Sequence, residues 1–140
     1  MDAVVGRMIK DKIQSAADDI SLLEGTDKLT YLIDLAKQVE ALPDVAKTDT
    51  NKIHGCASNL WIIGGCTEQG TMRYQPDADA FITKGTAKLV TDIVNDCPKQ
   101  EVAELTVDDF KPLGIRELLT PQRQNGLGRL IERIVAIANV

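Results

Sequence analysis

The apolar positions of this chain follow two different periods. Near the start, Val5, Met8, Ile9, Ile13, Ala16, Ala17 and Ile20 recur at helical spacing, with Lys10, Asp11 and Lys12 between them. That pattern predicts an amphipathic helix laying one stripe on a core. Glu24-Gly25-Thr26 breaks it. Thr26 is placed to cap a second helix, with Asp27 near its positive end. Leu29, Leu32, Ile33, Ala36 and Val39 form the second helix's apolar face. Its end is expected near Leu42, because Pro43 disfavours helical backbone in the residue before it. Residues 43–50 read as polar connection, with a short extended piece at Val45. Ile53 then begins a strand-like stretch that a loop over 55–58 interrupts and residues 60–65 resume. After the turn signal Glu68-Gln69-Gly70, residues 71–75 alternate polar and apolar.

Pro76 is expected to end the sheet, and Asp77 or Asp79 to cap a helix carrying Ile82, Gly85, Leu89, Val90 and Ile93 on one side. Gly85 on that stripe predicts close approach of another element; an anion site at Lys84-Gly85 is the alternative. Pro98 opens a short helix. Thr106-Val107-Asp108-Asp109 resembles a capping box, and Phe110, Leu113, Ile115, Leu118 and Leu119 supply apolar plugs. Thr120-Pro121 reads as N-cap and first residue of a terminal helix whose stripe is Leu127, Leu130, Ile131, Ile134, Val135 and Ala138. Gly126 and Gly128 weaken the start of that helix and predict a tight contact or bend. The sum is an α+β fold. Helices pack on one side of a small antiparallel sheet of about three strands, within a single domain over 1–140.

Composition narrows the function. The 140 residues are 44% hydrophobic and 26% charged, with net charge -5 and a sequence pI of about 4.8. An acidic balance disfavours nucleic acid or an anionic membrane as partner. No apolar run is long enough to span a bilayer. The segment Met1–Arg7 lacks the basic and apolar regions of a secretory signal, so a cytoplasmic location is the expectation. Three cysteines in such a chain point to free thiols.

The chemistry gathers at Asn51-Lys52-Ile53-His54-Gly55-Cys56-Ala57-Ser58-Asn59-Leu60-Trp61, which holds the only His and the only Trp. Cys56 follows a glycine and leads into an apolar strand, a placement for a reactive thiol; a small buried residue is the alternative. His54, two residues earlier, is a candidate base or a bystander. Asn51 and Ser58 are candidates to hold the loop by side-chain hydrogen bonds to backbone. Cys66 reads as structural, and Cys97 as structural or incidental.

Gly55-Cys56-Ala57-Ser58-Asn59-Leu60-Trp61 resembles the Gly-Cys-Gln-Ser-x-Val-Trp signature of the SufE family. Asp77-Ala78-Asp79-Ala80 followed by Thr83-Lys84-Gly85 resembles that family's Asp-Ser-Asp-Ala and Lys-Gly run. Leu119-Thr120-Pro121-Gln122-Arg123-Gln124-Asn125-Gly126-Leu127 resembles its Leu-Ser/Thr-Pro-x-Arg-x-Asn-Gly-Leu block, and Tyr31-Leu32-Ile33-Asp34-Leu35-Ala36-Lys37 also fits. One departure is Ala57, where the family usually has Gln.

The resemblance implies a fold shared with IscU-like scaffolds and a sulfur acceptor for a cysteine desulfurase, SufS-like or CsdA-like. Cys56 would carry a transient persulfide, and the desulfurase would be stimulated. Sulfur would pass to an iron–sulfur scaffold or another acceptor. The chain would bind no cofactor of its own, since pyridoxal phosphate belongs to the partner, and would not be an enzyme by itself. Arg123 is a candidate to favour the Cys56 thiolate or to meet the partner, with a solvated salt bridge or a cap as alternatives. Asp79, Lys84 and Asn125, inside the matched blocks, are candidate partner contacts. A sheltered resting position for the persulfide implies a loop that tucks the sulfur in and swings it out. The rival readings are a metal or iron–sulfur scaffold site built from His54, Cys56, Cys66 and Cys97, an independent thiol enzyme, and an adaptor without thiol chemistry.

Overall fold

The computed structural model describes residues 2–56 and 58–140, with residues 2–7 described by backbone alone. The chain runs α1 (Asp2–Ser21), α2 (Asp27–Ala36), β1 (Leu60–Cys66), β2 (Met72–Ala78), α3 (Phe81–Val94), α4 (Lys99–Ala103) and α5 (Pro121–Ala138). Short 3₁₀ segments lie at Asp44–Ala46, Val107–Leu113 and Arg116–Leu118. The α+β class expected from the sequence is the one observed.

The helical stripes are the buried faces. Ile9, Ile13, Ala17 and Ile20 of α1 are buried, whereas Met8 at the stripe's edge is exposed. Val5 lies outside the residues whose side chains are described. On α3, Gly85, Leu89, Val90 and Ile93 are buried between α2 and the sheet. A Cβ on Gly85 would collide with the backbone carbonyl of Leu32, so glycine here sets the α2–α3 approach and the packing reading holds. Buried apolar positions of α5 face β1 and α3, and the Tyr74 hydroxyl donates to the Ile134 carbonyl at 2.7 Å, pinning β2 to that helix.

β1 and β2 form an antiparallel pair with Leu60 opposite Ala78 and Cys66 opposite Met72. The expected third strand shrinks to residues 51–53. There Ile53 N–H donates to Leu60 O at 2.7 Å and Ile62 N–H donates to Asn51 O at 3.0 Å. Pro76 does not end the sheet. It sits opposite Ile62, whose N–H points to the other neighbour, so this is a non-hydrogen-bonded pair and the missing proline donor faces outward.

Four other expectations fail. Thr26 precedes α2 in helical rather than extended backbone and its side chain caps nothing. Helix α2 stops at Ala36, short of Leu42: Gln38 N–H and Val39 N–H tighten to Leu35 O and Ala36 O, and Leu42 N–H goes to the buried Asp77 carboxylate at 3.0 Å. Val45 lies in a 3₁₀ turn rather than an extended piece. Neither Asp77 nor Asp79 caps α3, whose N-cap is Ala80 without a side-chain bond. The capping box at Thr106 and Asp109 is present, and Thr120 Oγ1 accepts from Arg123 N at 3.3 Å with Pro121 as the first helical residue.

Candidate functional site

The loop over 54–59 leaves the sheet and returns to it at one point, because Ile53 N–H donates to Leu60 O across its base. Gly55 turns the chain with φ of +88°, a conformation that an L side chain resists. Three side-chain ties then hold the loop. Asn125 of α5 donates from Nδ2 to Gly55 O at 2.7 Å. Ser58 donates to Thr83 Oγ1 of α3 at 2.9 Å. Asn59 donates from its backbone N to Asp79 Oδ1 at 3.0 Å and from Nδ2 to Oδ2 at 2.8 Å. Upstream, Asn51 donates from Nδ2 to Ala46 O at 2.8 Å and steadies the strand that enters the loop.

These ties seat Cys56 against α5. The thiol is half-buried. A Cβ on Gly126 would fall 2.6 Å from Cys56 Sγ and 2.9 Å from Cys56 Cβ, so the tight contact predicted at Gly126 is the seat of this cysteine. Around it runs a cleft lined by Leu60, Ala87, Leu119, Leu127, Leu130 and Arg123, with about 10 Å³ of free space, room for roughly one water. Arg123 Nε is shut off from solvent and has no acceptor among the described residues. A buried donor left unpaired costs about 1–3 kcal/mol. The site therefore holds a thiol, an apolar wall and a spare N–H donor.

A roomier apolar hollow, about 230 Å³, lies beyond Leu127 between the 3₁₀ segments and α5. No thiol lines it, so size does not mark the chemistry here.

The other candidates are scattered. His54 points Nε2 to Asp49 Oδ1 at 3.5 Å and lines a surface groove with Arg129 and Arg133, whereas Cys56 faces the cleft under Gly126. Cys66 is exposed at the far end of β1, which overturns its reading as a structural residue; the strand outruns its cover there. Cys97 is buried, as expected of a structural thiol; burial pushes its thiol up, and Glu101 and Asp96 add to the shift against the opposing pull of Lys12. Among the described residues no three His, Cys, Asp or Glu converge to hold a metal ion. The set His54, Cys56, Cys66 and Cys97 is not assembled. Ala57 lies outside the described residues.

Asp79 is engaged with Asn59, Asn125 with Gly55, and Lys84 with Asp77 Oδ1 at 3.5 Å. Asp77 itself was missed as a site residue. It is only 2% exposed. It accepts from Leu42 N at 3.0 Å and Ala78 N at 2.8 Å, and Lys47 approaches at 3.3 Å. Burial alone would raise its carboxyl. The two backbone donors and the two lysines outweigh that and hold it below the usual carboxylate range. Lys47 also stands 5.2 Å from the Trp61 ring centroid, within cation–π range. Asp77 thus ties residues 42–47 and α3 to the strand behind the loop. Its only sequence signal was a carboxylate flanked by apolar strand residues.

The sequence and the fold both have relatives among known proteins. The profile of SufE, an Fe-S metabolism associated domain, matches residues 14–138. An uncharacterized SufE-like protein of Rhizobium meliloti is 34% identical over 122 residues, covering 84% of this chain and 87% of its own. A second uncharacterized SufE-like protein, from Rhizobium etli, is 32% identical over 96% of this chain and 94% of its own. The chloroplastic/mitochondrial SufE-like protein 1 of Arabidopsis thaliana is 31% identical over 80% of this chain, which spans 30% of that longer protein. Among solved structures, a hypothetical protein from Thermus thermophilus superposes with a TM-score of 0.74 at 21% identity, covering 91% of this chain and 93% of that one. That likeness speaks to the fold.

Proposed function

The chain belongs to the SufE family, associated with Fe–S metabolism, and from that premise we propose that it accepts sulfur on Cys56 from a cysteine desulfurase. The observation that carries the reading is the seat of Cys56: a thiol held in a small cleft whose one spare donor, Arg123 Nε–H, lacks an acceptor among the described residues. The Cys56 thiolate attacks the outer sulfur of a persulfide on the desulfurase. A new S–S bond forms on Cys56, the donor's S–S bond breaks, and the electron pair leaves with the donor cysteine as its thiolate. Clearing that persulfide stimulates the desulfurase. The pyridoxal phosphate that generates the persulfide is the partner's. This chain has no turnover of its own and hands the sulfur to an iron–sulfur scaffold or another acceptor.

The residues divide the work. Arg123 offers Nε–H to the anionic outer sulfur once it tucks into the cleft. Gly126 leaves the space, and the apolar wall keeps water and reductants away from the persulfide. Reaching a donor requires the loop to swing outward about Gly55. The ties from Asn125 and Ser58 are single hydrogen bonds, each contributing about 0.5–1.5 kcal/mol, so release costs far less than unfolding. Residues 1–140 act as one domain, and among the described residues no helix is long and apolar enough to cross a membrane; the cytoplasm is the proposed location.

The test is desulfurase turnover, followed as alanine released from cysteine, with wild-type protein or Cys56→Ala added. Stimulation by the wild type alone supports the reading. Equal stimulation by both proteins would remove Cys56 from the mechanism.

A further inference from the structure

The charge of this chain is unevenly placed. Residues 1–110 carry eleven Lys and Arg against nineteen Asp and Glu, whereas residues 111–140 carry five against two. In the first part several cations are answered by carboxylates: Lys47 and Lys84 by Asp77, Lys88 by Asp92, and Arg73 by Asp96. In the second part the ion pairs among the described residues are Lys111 with Asp108 and Arg129 with Glu132. Arg116 and Arg133 meet neutral acceptors instead. Arg116 Nε donates to Gln124 Oε1 at 3.4 Å, and Arg133 donates to Thr50 O at 2.9 Å and Lys52 O at 3.2 Å. An acidic chain thus keeps cations without carboxylate partners on one of its sides.

That side flanks the Cys56 loop. Asn125, Arg129 and Arg133 are spaced by four along α5 and share one face. The face runs beside residues 50–55. Asn125 holds Gly55 O, and Arg133 holds the carbonyls of Thr50 and Lys52. Between them Arg129 packs on Gly55, where a Cβ would lie 3.8 Å from its Cγ and Nε. Arg116 lines a groove with Asn125 and Arg129 and extends the surface toward the 3₁₀ segments. The Arg129 side chain is 58% exposed. Its partner Glu132, the one carboxylate of α5, is 61% exposed at 3.6 Å, a contact that water leaves weak.

We propose that this arginine face, centred on Arg129, is a docking strip for the sulfur donor, and that its occupant is a cluster of carboxylates on the donor's surface. The inference rests on the reading of Cys56 as a sulfur acceptor. Guanidinium groups bind carboxylates through paired N–H donors, which fixes orientation as well as sign. The negative remainder of the chain repels an extended polyanion, so a local acidic cluster on a folded partner fits the strip and nucleic acid does not. Its position sets the direction of approach. A donor held at Arg129 stands over residues 50–55, where the loop swings out about Gly55, so the released thiol meets the donor rather than open water. Charges at the rim of an interface act chiefly on the association rate and its salt dependence. The strip therefore governs how much protein is needed, and Cys56 governs the transfer itself.

The experiment is turnover of a cysteine desulfurase, followed as alanine released and titrated with each protein at low and at high salt. Arg129→Glu is expected to raise the concentration for half-maximal stimulation about fivefold or more at low salt, with the maximum at saturation kept. Most of that gap should vanish at high salt. Arg73→Glu is the control. Its side chain is 56% exposed, also pairs with a carboxylate, and lies at the far end of the hairpin from Cys56. It changes net charge equally and should shift half-saturation by less than about twofold. Glu132→Gln should lower half-saturation about twofold, a gain that general disruption of the surface does not produce. Equal shifts from Arg129→Glu and Arg73→Glu would overturn the proposal. So would a shift indifferent to salt, or weaker stimulation by Glu132→Gln. Cys56→Ala in the same titration separates the two claims. If it stimulates like the wild type, the acceptor reading falls and the strip with it; if it does not, the acceptor reading stands whatever Arg129→Glu shows.

Discussion

Replacing Gly126 by Ala sets two known quantities against each other. Alanine favours a helix over glycine by about 0.8–1 kcal/mol. The added methyl, however, would lie 2.6 Å from Cys56 Sγ, 2.9 Å from Cys56 Cβ and 3.4 Å from Cys56 Cα. The last contacts mean that a rotation of the thiol alone does not relieve the clash; the loop itself must move. Overpacking of this kind costs about 1–3 kcal/mol. Because the loop is held by a few hydrogen bonds, that cost falls on the seated position of Cys56 rather than on the whole fold. A clash of about 2 kcal/mol lowers the ratio of seated to released loop by about 30-fold, at tenfold per 1.4 kcal/mol.

The assay is alkylation at fixed pH, read by mass spectrometry. Exposed Cys66 serves as internal reference, and buried Cys97 stays silent. Gly126→Ala is expected to raise the Cys56-to-Cys66 rate ratio by about tenfold or more, up to the limit of a free thiol. Gly128→Ala is the control, since its methyl meets nothing within 4 Å on the same helix. It should leave the ratio unchanged and raise Tm by about 3 °C. If Gly126→Ala behaves like Gly128→Ala in both respects, Cys56 does not sit against α5 and the account of the site fails.

Other outcomes follow from the same contacts. Arg123→Lys keeps a cation but loses Nε, so persulfide formation from a desulfurase should slow about 10- to 100-fold, the worth of a hydrogen bond to a charged group; an unchanged rate would leave Arg123 as scaffold only. Asn125→Ala removes the tie to Gly55 O and should speed amide exchange over residues 54–58 about 2- to 10-fold with little change in Tm. Asp77→Asn should cost about 2–3 kcal/mol in urea unfolding at neutral pH. Asp77 titrates lower when folded, so its contribution is whole above the ordinary carboxylate value of about 4 and is lost as pH falls through the folded value. The gap between wild type and Asp77→Asn should therefore close in acid, and a gap constant with pH would contradict the assignment.

What was legible in the sequence was periodic or stereochemically forced. The stripes of α1, α3 and α5 are where spacing put them. Gly85 meets Leu32, and Gly126 meets Cys56, as glycine on a helical face suggests. The Thr106–Asp109 box and the Thr120-Pro121 start formed because their local chemistry has no competitor. What was not legible depended on distant partners. Asp77 looked like a cap because nothing nearby in sequence shows that Leu42, Lys47 and Lys84 converge on it. Pro76 looked like a stop because its tolerance depends on register, which residues 51–53 set from the other side. Cys56 was identifiable as the thiol of interest, but its seat was not. Arg123, Gly126 and Asn125 come from a helix some seventy residues on, and only the family-like block hinted that they belong together.

The most direct measurement is the intact mass of the protein after incubation with an active cysteine desulfurase and free cysteine, wild type beside Cys56→Ala. The account predicts one added sulfur on the wild type, mapped to Cys56, and none on the variant. Sulfur that appears on the Cys56→Ala protein at the same level, carried by exposed Cys66, would contradict it.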